Sequence, residues 1–136
     1  MSLLVVGSIA FDTIQTPYGK VEKCLGGSAT YFSLAASYFT EVRVVGVVGE
    51  DFTAAEEAVL RERGVRTEGI QRAAGKTFHW SGEYGDNLNE AKTHLTELNV
   101  FEKFEPQVPQ QFFSTDFLFL ANIRSEERRV GKECRL

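Results

Sequence analysis

The chain has 136 residues and a formal net charge of −4, with 43% hydrophobic and 25% charged side chains. These are globular proportions, which exclude a disordered or fibrous chain, and the length fits one domain or part of a larger one. Fifteen basic side chains against nineteen acidic ones leave no basic surplus, so a nucleic-acid binder is not expected.

The two cysteines, Cys24 and Cys134, lie far apart in sequence. They make neither a disulfide framework nor a zinc ligand set, and they suit a reducing cytosol. The N-terminus has no positive leader, and its apolar run is short, so it reads as a first strand. No apolar stretch approaches the roughly 18 residues needed to span a membrane.

Residues 3–9 are apolar apart from Gly7 and Ser8. A run of this kind fits a strand buried on both faces, as in a parallel sheet covered by helices. Residues 12–24 hold the turn Thr16-Pro17-Tyr18-Gly19-Lys20 between short extended pieces. After Gly26-Gly27, the spacing of Phe32, Ala35, Ala36 and Phe39 predicts a helix with that face inward. Residues 42–48 repeat the buried-strand pattern. Thr53-Ala54-Ala55-Glu56 then reads as a capping box, Val59 and Leu60 continue the helix, and Gly64 ends it.

Residues 75–84, with Thr77, Phe78, Trp80 and Tyr84, carry strand-favouring side chains. Together with 93–101 and the 12–24 segment they predict a small antiparallel subsheet projecting from the main one. Residues 117–123 supply a third buried strand. The alternation of strands and helices predicts an α/β fold with a mostly parallel sheet. Residues 124–136 differ sharply, with five positive and three negative charges and only Val130 and Leu136 as large apolar residues. The string SEERRVGKEC looks like read-through into cloning sequence, so this tail is expected to be non-native and the native part to span 1–123.

Several patterns bear on chemistry. Gly26-Gly27-Ser28 opens a helix, where backbone amides and the positive dipole end suit a polar substrate oxygen. A plain tight turn is the competing reading. Ser8 and Asp12 follow the first strand, where ligands of open α/β sheets bind. A carboxylate there can accept two hydrogen bonds from neighbouring hydroxyls, or it can simply cap the turn. Residues 69–77 imitate a phosphate-binding loop with one residue too many, but Thr77 begins a strand-like stretch where such a loop needs a helix. No dinucleotide fingerprint follows the first strand, and neither His79 nor His94 has partners at metal-ligand spacing, so no metal site is expected.

Taken together and in order, these pieces resemble the start of a PfkB-type carbohydrate kinase, the ribokinase-like family. They are Gly7-Ser8 with Asp12, Gly26-Gly27-Ser28-Ala29 at a helix start, Val45-Gly46-Val47-Val48-Gly49-Glu50-Asp51-Phe52, the pattern from Leu60 to Gly64-Val65, and Thr77. The resemblance implies a three-layer α/β/α sandwich, here its N-terminal half only, with part of a small β lid. It implies an ATP-dependent phosphotransferase acting on a hydroxyl of a sugar or nucleoside.

By the same resemblance, Asp12 binds substrate hydroxyls and Ser8 is a further polar contact. Gly26, Gly27 and Ser28 touch the substrate, and Thr77, Phe78 and Trp80 belong to the lid. The stretch Val48-Gly49-Glu50-Asp51 is a structural turn. Tyr31 departs from the asparagine that many members hold against the sugar, which leaves the acceptor open between sugar and nucleoside. The family's G-A-G-D motif, with its catalytic aspartate, does not occur here. ATP and Mg2+ are therefore expected to serve the full-length parent, and this chain to bind neither well and to be inactive alone. A cytoplasmic protein, dimerising through its lid and binding neither nucleic acid nor membrane, completes the expectation. The alternative is a non-catalytic sugar-binding or dimerising half-domain.

Overall fold

The computed structural model describes residues 1–122. The reading of 124–136 as a foreign tail lies outside them. In chain order the elements are β1 (Ser2–Gly7), β2 (Ala10–Thr16), β3 (Gly19–Gly26), α1 (Ser28–Ala36), β4 (Glu41–Val48), α2 (Ala54–Arg61), β5 (Arg66–Arg72), β6 (Phe78–Tyr84), β7 (Ala91–Glu97) and β8 (Phe117–Ala121). Two 3₁₀ turns, Asn99–Lys103 and Gln110–Phe112, lie between β7 and β8.

Two four-stranded sheets result. The main sheet has the order β5-β4-β1-β8 with every pair parallel. Its strands alternate between two apolar clusters. Val5, Val42, Val44 and Val48 face the side carrying Ala29 of α1 and Leu60 of α2. Leu4, Val6, Val45 and Val47 face Phe101, Phe104 and Phe112. Each such side chain, once buried, contributes about 1.5–3 kcal/mol. Both described helices thus serve one face, while the other is covered by the 3₁₀ turns and the loop between them.

The second sheet, β3-β2-β6-β7, is the lid. It is mixed, not antiparallel as expected. The β2–β3 and β6–β7 pairs are antiparallel hairpins, but β2 and β6 run parallel. That central pairing joins two hairpins distant in sequence, and local turn signals do not report it. Only Ser8 and Ile9 separate β1 from β2, so the lid grows directly out of the end of a core strand.

The expected inner face of α1 holds in part: Phe32 and Ala36 pack against the core, while Ala35 and Phe39 do not. The helix ends at Ala36, short of Phe39, which is 85% exposed. Ala35 is exposed as well. The buried residues are the small ones, Ala29, Thr30 and Ser33, so the backbone of α1 lies close to the sheet. The hydroxyls of Thr30 and Ser33 are buried without a hydrogen-bond partner among the described residues. In α2 the capping box forms as expected: the Thr53 amide donates to Glu56 Oε2 at 2.7 Å, and the Thr53 hydroxyl accepts from the Ala55 amide at 3.3 Å. Gly64, at φ +76°, follows its end. Leu60 is buried but Val59 faces outward. The sequence reading missed β5, whose largely polar run hides a short alternation with Thr67 and Gly69 inward.

Candidate functional site

The site forms where the lid leaves the main sheet. Ser8, at the end of β1, is buried, and both of its polar groups serve the start of α1. Its hydroxyl accepts from the Ser28 amide at 3.1 Å and lies 2.9 Å from the Ser28 hydroxyl, and its carbonyl accepts from the Ala29 amide at 3.0 Å. A helix start with no cap from its own Gly27 is thus capped from a neighbouring strand. The amides of Ser28 and Ala29, expected to be open to a substrate, are taken by Ser8.

Gly27 makes this approach feasible. Its φ is +95°, and the Ser8 carbonyl occupies the space a side chain would need. The same contacts draw together the two legs of the β2–β3 hairpin at its base, and this fixes where Asp12 points.

Asp12 lies on β2, opposite Cys24 of β3 and in register with Trp80 of β6. Its carboxylate leans across β3 over Gly26, where even a methyl group would collide with it. The ladder is irregular just beyond, between Asp12 and Ile14. There Lys23 adopts φ +49°, and its amide donates to the Thr13 hydroxyl at 3.2 Å. Such irregularities bend a strand and re-aim its side chains. Burial raises the Asp12 pKa above its ordinary value, and His79 opposes this in part. No side-chain donor is bonded to this carboxylate among the described residues, so its acceptor sites face the open space in front of it.

Tyr31 lies one turn into α1 and is 53% exposed. Its phenol is pushed up first by burial, then by Asp12, Cys24 and Tyr84. The Cys24 thiol donates to the Asp12 main-chain carbonyl at 3.1 Å; its own pKa is raised by burial and then by Asp12.

The three lid residues named from sequence separate here. Thr77 precedes β6 and is buried. Its hydroxyl donates to Asp51 Oδ1 at 2.7 Å and accepts from the Gly49 amide at 2.9 Å, while its amide donates to the same Asp51 oxygen at 2.8 Å. Phe78 stacks on Phe101 at 5.4 Å between ring centroids, as part of the core. Only Trp80 shares the open face with Asp12. Tyr84, expected from sequence only as a strand residue, lies four residues after Trp80 in one strand, which puts both on one face. Asp12, Gly26, Gly27 and Tyr31 are thus brought together, with Ser8 and Ser28 serving as their scaffold.

No protein-family profile and no curated protein sequence matches the chain. Solved structures do. The nucleoside kinase of Methanocaldococcus jannaschii, an archaeal member of the ribokinase family, matches with a TM-score of 0.73 at 15% identity, over 98% of this chain and 48% of that one. The ribokinase of Cryptococcus neoformans in complex with ADP matches with a TM-score of 0.67 at 15% identity, over 96% and 44%. The nucleoside kinase of Burkholderia thailandensis in complex with inosine matches with a TM-score of 0.61 at 17% identity, over 73% and 36%.

The fold is therefore ribokinase-like, as the sequence resemblance implied. The chain spans less than half the length of each of these three structures.

Proposed function

We propose that residues 1–122 are the acceptor-binding half of an ATP-dependent kinase of the ribokinase family, acting on a hydroxyl of a sugar or nucleoside. The observation that carries this reading is the half-buried Asp12 carboxylate, held at the junction of lid and sheet with its oxygens unspent. A carboxylate so placed can accept bonds from two adjacent hydroxyls and orient one of them for attack. Positioning of this kind can supply several kcal/mol of the barrier.

The open edge of the main sheet supports the same reading. Parallel sheets are normally covered on both faces. Yet Phe117, Leu118 and Phe119 of the edge strand β8 are 58%, 41% and 36% exposed, on both faces. A second half continuing the sheet beyond β8 would cover them.

In this reading ATP with magnesium is the phosphoryl donor, held by polypeptide outside residues 1–122. The described residues do not fit that group. The loop-like run 69–77 passes from β5 into β6 instead of into a helix, and no three acidic, histidine or cysteine side chains gather to hold a metal. In the same reading the catalytic base comes from polypeptide outside residues 1–122. The lid leaves β3 and β7 as free edges, through which a homodimer can form. No described helix is long and apolar enough to cross a membrane, and the proposed site of action is the cytoplasm.

The test is a chimera joining residues 1–122 to the C-terminal half of the Methanocaldococcus jannaschii enzyme. It should phosphorylate an acceptor from ATP, and Asp12→Asn should lower kcat/KM by roughly ten- to a hundredfold, the loss of one charged hydrogen bond or more. The 136-residue chain alone should transfer no phosphate. A folded chimera whose activity ignores Asp12→Asn, or activity in the chain alone, defeats the reading.

A further inference from the structure

The lid face around Asp12 is largely apolar and aromatic. Trp80 stands beside Asp12 in register, Ile14 and its partner Val21 lie beyond it, and Tyr84 follows on β6. Asp12 is the acidic group at the end of this face nearest α1.

The Trp80 ring is held in place by three neighbours. It lies over Gly82, where a side chain would collide with it. It meets the Tyr84 ring edge-on, with centroids 6.5 Å apart and planes at 62°. Its indole N–H donates to the Thr93 hydroxyl at 3.2 Å. A ring with its only donor already spent offers a ligand its π surface. Tyr31 lies in the first turn of α1, its amide donating to the Gly27 carbonyl at 3.1 Å, and its half-exposed ring borders the same space from the side of α1.

A free sugar would satisfy Asp12 and leave these rings unused. We propose that the acceptor carries a planar aromatic ring beside its hydroxyls, as a nucleoside does, with the hydroxyls on Asp12 and the ring against Trp80 and Tyr31. This rests on the acceptor-site reading above. It makes Trp80 and Tyr31 specificity-determining residues within that site. A second copy of the chain is the competing occupant. A symmetric contact over this face would bury two Asp12 carboxylates, which is unfavourable unless each finds a paired charge.

The experiment uses the whole chain. Trp80 is its one tryptophan, so emission excited at the red edge of the indole band reports on this face alone. Adenosine and inosine should quench it saturably, and ribose and fructose at equal concentration should not. By calorimetry, Tyr31→Ala should weaken nucleoside binding about tenfold, which is roughly 1.4 kcal/mol and within the range of one base stacking on an aromatic ring. Tyr31→Phe should keep most of the affinity, and circular dichroism should be unchanged in both variants.

If ribose or fructose binds as tightly as a nucleoside, with dependence on Asp12 but not on Tyr31, the inference fails and the acceptor-site reading survives. If neither class binds, both fail. If Trp80 emission instead shifts to the blue with protein concentration, without ligand, a second copy covers the face and the inference is overturned.

Discussion

One oxygen of Asp51 accepts both the amide and the hydroxyl of Thr77, at 2.8 and 2.7 Å. Asp51 follows the end of β4 in the main sheet, and Thr77 immediately precedes β6 in the lid. The Thr77 carbonyl in turn accepts from Asn99 Nδ2 at 3.0 Å, and the Gly75 carbonyl from the Glu50 amide at 2.8 Å. The second leg of the lid is thus pinned to the main sheet by polar bonds. The first leg is pinned by Ser8 and Ser28.

Thr77→Val keeps the shape of the side chain and removes the hydroxyl, leaving the Gly49 amide without its acceptor. Stranding a buried donor costs about 1–3 kcal/mol. Urea denaturation should show a loss of that size. A midpoint equal to that of the parent would mean the lid is held elsewhere.

Burial disfavours the charged form of Asp12, so its effect on stability runs opposite to that of a salt-bridged carboxylate. Its folded pKa is raised above the ordinary value of 3.8. Between those two values the folded state binds more protons than the unfolded one, and stability falls as pH rises. Asp12→Asn should therefore raise the melting temperature at neutral pH, and the gain should vanish below about pH 4, where the carboxyl is protonated in both states. A lower melting temperature for the variant at pH 7 would assign Asp12 a structural task instead.

Ser8→Ala removes the hydroxyl that caps α1. Loss of such a cap costs about 0.5–2 kcal/mol, so the melting temperature should fall. Binding of a nucleoside or sugar per folded molecule should change little, because the hydroxyl is turned to the helix. The reverse pattern, with stability kept and binding lost, would return Ser8 to the substrate.

Ser33→Ala should stabilise the chain. Its hydroxyl is fully buried and bonds to no described residue, whereas alanine is the better helix former and brings no polar group inside. A gain of roughly 1 kcal/mol is expected in chemical denaturation. A loss would point to a water or backbone partner at this hydroxyl.

The parts of the fold legible in sequence were those set by local chemistry. The Thr53 and Glu56 capping box, and the apolar runs that became β1, β4 and β8, needed no knowledge of distant residues, but β8, expected to be buried, lies at the sheet edge with Phe117, Leu118 and Phe119 exposed. Hydrophobic periodicity placed Phe32 and Ala36 of α1 against the core, but it overshot to the exposed Ala35 and Phe39 and passed over Ala29, Thr30 and Ser33, which a helix lying close to a sheet buries. The strand β5 was missed because it exposes arginine and glutamate at the sheet edge. The parallel pairing of β2 with β6 depends on residues more than sixty apart, and no turn signal encodes it. Within the site, Asp12 and the glycines came from the resemblance in order and spacing. That Ser8 would be spent on a helix, and Thr77 on Asp51, depends on side-chain directions set by that tertiary pairing.

The exposed strand β8 also bears on how such a protein is made. Under the proposed reading, residues 1–122 leave the ribosome before the rest of the kinase and can assemble first. During that interval Phe117-Leu118-Phe119-Leu120-Ala121 offers a free ladder edge with no charge and no proline to blunt it, the features by which natural edge strands avoid self-association. Among the described residues, no strand pairs with that edge. The solubility of the chain then depends on how fast two copies find each other at β8. Leu118→Lys should slow that encounter, lowering light scattering on storage, while it bars the strand from an interior place in any completed sheet.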